Sequence, residues 1–184
     1  FLRSFAPIAG IEFTEVSPIT DEFGLVYSTA QLRAYIMSGK PLNAGQMLGR
    51  PWEIEGRVLN RDQLNRSIGY ATAEIELNEY INPAYGVYAV KARVIPSSVY
   101  DTDLLEFNDG IGFFRLRQMP YGHAKLFGIH LFDFNENLYG ANLDIQVIDF
   151  IRHQQKFNSV EEIKKQIDLD ILTAKQILSK PIVY

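Results

Sequence analysis

Six short segments between residues 52 and 150 constrain the fold of this chain more than any other feature of its sequence. Each is rich in β-branched and aromatic residues, and asparagine, aspartate, glycine or proline separates it from the next, as in β-strands joined by turns. The segments are residues 52–59, 72–77, 85–94, 110–116, 126–134 and 143–150. Six strands at this spacing predict a mainly β fold, a small six-stranded antiparallel barrel.

One long helical pattern follows the strands. Its apolar residues recur on a single helix face, and they are Val160, Ile163, Ile167, Ile171, Ala174 and Leu178. Ser159 and Glu162 stand three residues apart at its start, the spacing of a capping box. The sequence therefore predicts one C-terminal helix.

The chain before the strands has a different texture. Apolar residues at helical spacing predict a short helix over residues 29–39, and Pro41 can begin a second one that ends at Gly49. Pro51 then forces the chain into an extended path. We expect two units, residues 1–48 and residues 49–184.

Composition excludes several classes of function. The chain has no cysteine, which rules out disulfides, thiolate metal sites and cysteine nucleophiles. With 18 basic and 22 acidic residues and no basic run, nucleic acid is not an expected partner. No apolar run is long enough to insert in a membrane, so we expect a soluble protein of the cytoplasm or an organelle matrix. Because the chain begins with Phe1 inside an element already under way, we also expect a fragment or a processed product.

Generic catalytic patterns are weak. The three histidines, His123, His130 and His153, lack the spacing of metal ligands, so we expect packed or hydrogen-bonded side chains rather than a metal site. A cluster of acidic residues is expected to form a solvated loop rather than a cation site. Its members are Asp101, Asp103, Glu106 and Asp109.

Longer strings carry a resemblance to a known family. Residues 49–58 read GRPWEIEGRV, similar to the LGRPY-x-I-x-G-x-V junction of bifunctional riboflavin kinase/FMN adenylyltransferases, the bacterial-type FAD synthetases. Residues 67–73 (SIGYATA), 86–90 (GVYAV) and 130–140 (HLFDFNENLYG) continue the likeness in order. The resemblance implies a riboflavin-kinase barrel, with Mg-ATP and riboflavin or FMN as ligands if the chain is active.

The segment before the junction resembles the end of the family's adenylyltransferase domain. Ser28, Thr29 and Arg33 are similar to a Ser-Ser-Thr-x-x-Arg motif that holds nucleotide phosphates in that domain. A helix cap and a surface arginine explain the same residues. We expect residues 1–48 to be a C-terminal remnant of such a domain, unable to transfer adenylyl groups alone.

The nucleotide side departs from the family pattern. The family's phosphate loop before Gly69 is glycine-rich, whereas this chain has Arg61, Gln63 and Asn65 there, whose side chains crowd the approach to ATP. The family's next motif is Pro-Thr-Ala-Asn. In this chain Thr72 stands at its threonine position and Glu74 at its asparagine position. The resemblance makes these two residues the nucleotide and metal ligands of an active enzyme.

The proton-accepting side departs further. The family carries a glutamate that accepts the ribityl hydroxyl proton, and this chain has Gly128 at that position. Losing a positioned general base removes about 10²–10⁴ in rate. Residues 117–121 also lack the Asn-Pro-Thr segment expected between the fourth and fifth strands.

Three hypotheses follow. The favoured one is a riboflavin-kinase-like domain that has lost catalysis and serves as a structural or binding module, as a subunit of a larger assembly. The alternative is an active riboflavin kinase that uses Thr72 and Glu74. The second alternative is a non-catalytic flavin-binding protein, with Arg152 as the flavin-binding candidate because the family's flavin side lies near the last strand and the C-terminal helix.

Overall fold

The computed structural model describes residues 1–20, 24, 26–59, 70, 72–95, 106–120, 122–134 and 136–184. Within these ranges, six strands form one antiparallel sheet in the order β1-β6-β3-β4-β5-β2. The strands are β1 Trp52–Arg57, β2 Ala73–Glu76, β3 Gly86–Ile95, β4 Asn108–Met119, β5 Gly122–Leu131 and β6 Asn142–His153. The predicted mainly β, six-stranded antiparallel fold is confirmed.

The sheet curls into a half-barrel, and its two edge strands, β1 and β2, therefore lie close to each other. Just beyond β1, the Leu59 N–H donates to the carbonyl oxygen of Glu74 in β2 over 2.8 Å. Inward-facing side chains from all six strands fill the interior, and Ile54, Ile75, Tyr88 and Phe127 have no exposed surface. Alternating residues therefore face outward, away from this core.

The hairpin of β4 and β5 differs from its predicted bounds. The strands pair without interruption from Gly110 and Leu131 down to Met119 and Gly122. Gly122 has φ +118° and permits a tight reversal. The segment expected to be a connection is therefore mostly strand. Beyond Leu131, Asp133 has φ +55°, which ends β5 earlier than predicted.

The predicted C-terminal helix is present as α4, Val160–Leu178, the last of four helices in the described ranges. Its apolar face packs outside the half-barrel, where Ala174 and Leu178 join Ala89 and Ile148 in a second buried cluster. The Ser159 hydroxyl accepts from the Glu162 N–H over 3.2 Å, so the predicted cap forms. α4 thereby covers part of the outer face.

Loss of this cap gives a measurable prediction. Ser159→Ala removes the acceptor for the Glu162 N–H and is expected to cost about 1 kcal/mol. For a chain of this length that lowers Tm by roughly 2–4 °C. Thermal denaturation followed by circular dichroism measures the shift, and Ser179→Ala, at the other end of α4, serves as the control that leaves the cap intact.

The described residues before the strands form three helices, α1 Leu2–Phe5, α2 Thr29–Met37 and α3 Pro41–Leu48. Gly39 and Gly49 follow α2 and α3 with φ of +72° and +66°, which supports the predicted stops. Ile36 and Ala44 are buried in the same cluster as the interior of the half-barrel. α2 and α3 thus share the barrel core, and the division at residue 48 stays a prediction.

Among the described residues, no helix combines the length and apolar character required to cross a bilayer.

Candidate functional site

A row of three residues crosses the outer face of β2, β5 and β4. Glu74 of β2 lies opposite Gly128 of β5, which in turn lies opposite Phe113 of β4. Their chain neighbours Ile75, Phe127 and Phe114 face the interior, so this row faces outward. We call Glu74, Gly128 and Phe113 the central row.

The Phe113 ring covers Gly128. A Cβ atom placed on Gly128 lies 2.1 Å from the ring Cζ atom, far inside van der Waals contact. Phe113 also packs against the cluster beneath α4. The space in which a side chain at position 128 begins is therefore filled by an aromatic ring from the next strand.

Glu74 is buried and ion-paired. Glu74 is only 6% exposed, and its carboxylate oxygen Oε1 accepts a hydrogen bond from Nη2 of Arg115 on β4. The arginine reaches across β5 to make this contact, since β5 lies between β2 and β4. Sequence reasoning missed Arg115 and Phe113, because neither belongs to a motif and only strand pairing brings them to Glu74 and Gly128.

Thr72 precedes Glu74 by two residues. Its Oγ1 is buried and has no hydrogen-bond partner, and the Nε of Arg115 is in the same condition. Buried polar atoms without partners are uncommon in folded proteins, so each calls for an explanation. An unpartnered hydroxyl oxygen next to the central row suits a ligand such as a hydrated cation or a phosphate.

At Thr72 and Glu74 the described side chains leave no carboxylate free for magnesium. Magnesium takes octahedral oxygen ligands, usually several waters with one or two carboxylates and substrate phosphates. Thr72 offers one oxygen, but the Glu74 carboxylate is occupied by Arg115. Within the described ranges no three histidine, aspartate or glutamate residues are grouped to hold a metal. The assignment of Thr72 and Glu74 as nucleotide or metal ligands stays a prediction.

A tyrosine connects this face to α4. The Tyr70 hydroxyl donates to Asp168 Oδ1 over 2.7 Å, and its ring meets the His130 ring edge-on at a centroid distance of 5.4 Å. The hydrogen bond to Asp168, followed by burial, raises the pKa of Tyr70 above its ordinary value. His130 is thus a packed aromatic neighbour, as predicted.

Arg152, the flavin-binding candidate, makes a two-pronged ion pair between β6 and α4. Its Nε and Nη2 donate to the two carboxylate oxygens of Asp170 over 2.8 and 2.6 Å. Gln166 donates to the same carboxylate over 3.0 Å. Asp170 is 2% exposed, so its carboxylate is shielded from solvent. The ion pair of Arg152 and Asp170 therefore holds α4 to the sheet.

The phosphate-motif residues lie on α2. The Ser28 hydroxyl accepts from the Gln31 N–H over 3.1 Å and caps the helix, Thr29 is the first helical residue, and Arg33 is exposed. In the part of the chain that the structure describes, no hydrogen bond or ion pair joins them to the central row. Their assignment to a nucleotide site stays a prediction.

Other predicted residues are dispersed. Asp109 pairs with Lys91 over 2.6 Å, and the His153 ring packs edge-on against Phe150 at 4.8 Å. His123 is exposed on β5. The loop positions Arg61, Gln63 and Asn65 and the acidic residues Asp101 and Asp103 lie outside the described residues.

Comparison with known proteins settles the family. The flavokinase family model, described as riboflavin kinase, matches residues 48–178. The chain belongs to the riboflavin kinase family. The matched range includes the central row and all of α4, so the site described above lies within the family's own domain.

Individual relatives agree with this assignment. The chain is 37% identical over 132 residues to the bifunctional riboflavin kinase/FMN adenylyltransferase of Haemophilus influenzae, covering 72% of this chain and 40% of that one. It spans about half the length of the curated relatives it matches.

Solved structures confirm the architecture. The crystal structure of a macrolide-efflux protein from Streptococcus pneumoniae superimposes with a TM-score of 0.75 and 29% identity, covering 87% of this chain and 50% of that one. A riboflavin kinase from Trypanosoma brucei has a TM-score of 0.50 at 20% identity, over 72% of this chain and 83% of that one. The second likeness concerns the fold alone.

Proposed function

We propose that this riboflavin-kinase-like domain no longer transfers phosphate and serves as a structural or binding module within a larger assembly. The observation that carries the proposal is the Phe113 ring over Gly128. Because the ring takes the space of a Cβ atom at position 128, the site has no general base there, and a side chain introduced at that position has to displace the ring.

The ion pair beside the ring supports the same proposal. Arg115 neutralises Glu74 within the fold, where an active kinase needs free ligands for the metal that accompanies ATP. An apolar ring and a closed ion pair are features of a packed surface. They favour retention of the fold over retention of turnover.

An active riboflavin kinase is the second candidate. The family match and the unpartnered Thr72 hydroxyl favour it, since that oxygen is available to a metal or a phosphate. Phosphoryl transfer depends mainly on positioning and charge stabilisation, so some activity can survive the loss of a base.

One titration separates the candidates. The chain is mixed with riboflavin and then with Mg-ATP, while flavin fluorescence reports binding and chromatography reports FMN. We expect FMN formation to be slower by at least about 10²-fold than with the Haemophilus influenzae relative assayed in parallel. FMN at the relative's rate contradicts the proposal, whereas riboflavin binding without FMN favours the non-catalytic flavin-binding alternative.

A further inference from the structure

We propose that Arg115 acts as a built-in counter-cation for Glu74, so that this face of the half-barrel is complete without magnesium and does not take up the ion. The inference deepens the proposed non-catalytic function and rests on it. It assigns a role to a residue that no motif singled out.

The reach of Arg115 is the first support. Ion pairs on a sheet normally join adjacent strands, as Arg93 and Asp144 do from directly opposite positions on β3 and β6. Arg115 instead spans an entire strand to meet Glu74. The residue opposite Glu74 on that strand is Gly128, so no β5 side chain stands beside the carboxylate at that register.

The burial of Glu74 is the second support. A carboxylate in a residue only 6% exposed requires a compensating charge, because its hydration has been lost on folding. Arg115 is the cation that pairs with it among the described residues. Its side chain is 36% exposed, so the guanidinium closes the site from the solvent side.

The third support is competition for one carboxylate. A magnesium ion at Glu74 has to displace the guanidinium or share the carboxylate with it, and two cations at one carboxylate repel each other. Within the described residues, no group of three histidine, aspartate or glutamate side chains surrounds this carboxylate to offset that repulsion. Arg115 and magnesium are therefore mutually exclusive partners of Glu74.

Removal of the guanidinium tests the inference on the full chain. Arg115→Met is expected to lower Tm by roughly 4–8 °C in the absence of divalent ions, since Glu74 loses its partner. Adding magnesium chloride at tenfold excess over the Kd of the new site is expected to raise the Tm of the variant by roughly 3–6 °C. The unchanged chain is expected to show no saturable response. Sodium chloride at equal ionic strength is the control for screening.

Two more variants define the site. Thr72→Val in the Arg115→Met background removes the unpartnered hydroxyl while keeping its shape, and is expected to weaken the magnesium response. Glu74→Gln with Arg115→Met removes both charges and is expected to abolish that response. A magnesium response in Arg115→Met that persists after Glu74→Gln overturns the inference, as does its absence from a folded Arg115→Met chain.

Calorimetry on the unchanged chain keeps the test independent of whether any variant folds. Saturable magnesium binding by this chain without nucleotide overturns the counter-cation role; its absence supports that role. FMN formation is measured separately. FMN without magnesium uptake at Glu74 contradicts the proposed function alone, while magnesium uptake without FMN contradicts only the role of Arg115.

Discussion

Asp170→Asn is expected to lower the free energy of unfolding by about 3–5 kcal/mol, because it leaves the half-buried Arg152 guanidinium without its carboxylate. Only 17% of the Arg152 side chain is exposed, so water replaces the lost partner only in part. For a chain of this length the loss corresponds to a fall in Tm of roughly 6–20 °C. Denaturation by urea, monitored by circular dichroism, measures the change.

Asp168 offers a matched control on the same helix. It lies two residues before Asp170 but is exposed, and its Oδ1 accepts from the Tyr70 hydroxyl. Asp168→Asn keeps an acceptor oxygen and is expected to cost less than about 1 kcal/mol. Equal losses in the two variants contradict the view that the pair of Arg152 and Asp170 fastens α4 to the sheet.

The second large effect is expected at Gly128. Gly128→Ala places a Cβ atom against the Phe113 ring, and overpacking of this kind costs about 1–3 kcal/mol. Phe113→Ala opens the space, so the double variant is expected to be more stable than the sum of the two single losses predicts. The coupling in this double-mutant cycle is expected to be about 0.5–3 kcal/mol. Strict additivity excludes direct contact between the ring and position 128.

The same geometry determines how activity has to be rebuilt. Gly128→Glu alone sets a carboxylate against the Phe113 ring and opposite Glu74, where like charges on adjacent strands repel. We expect no FMN from that variant, and none when Glu74→Asn is added. Any gain is expected only after Phe113→Ala clears the position. FMN production by Gly128→Glu in the presence of the intact ring contradicts the steric role of Phe113.

Much of the fold was predictable because its signals are local. Runs of β-branched and aromatic residues mark strands, and the pairing of Ser159 with Glu162 marks the start of α4, since each pattern is complete within a few residues. The bounds of β4 and β5 were less predictable. The two strands stay paired as far as the tight turn at Gly122. The length of this pairing depends on both strands together, so the sequence of one strand does not predict it.

For the candidate site, the sequence predicted only which family residues are replaced. Motif comparison identified Gly128 and Glu74 as departures from the family, but it could not say what had become of the space or the charge. Arg152 was predicted to bind flavin from its place near the family's flavin side. The sequence around an arginine does not show whether an acidic side chain already pairs with it. Its engagement with Asp170 depends on how α4 docks on β6.

The six β-rich segments therefore determined by themselves that this chain forms an antiparallel β fold with a final helix, and motif likeness placed it beside the riboflavin kinases. Only the tertiary structure decided that Phe113 fills the position of Gly128 and that Arg115 neutralises Glu74. The physical reason is strand register. Residues far apart in sequence become neighbours on one face only when three strands pair in a particular alignment, and a shift of one residue turns each side chain to the other face.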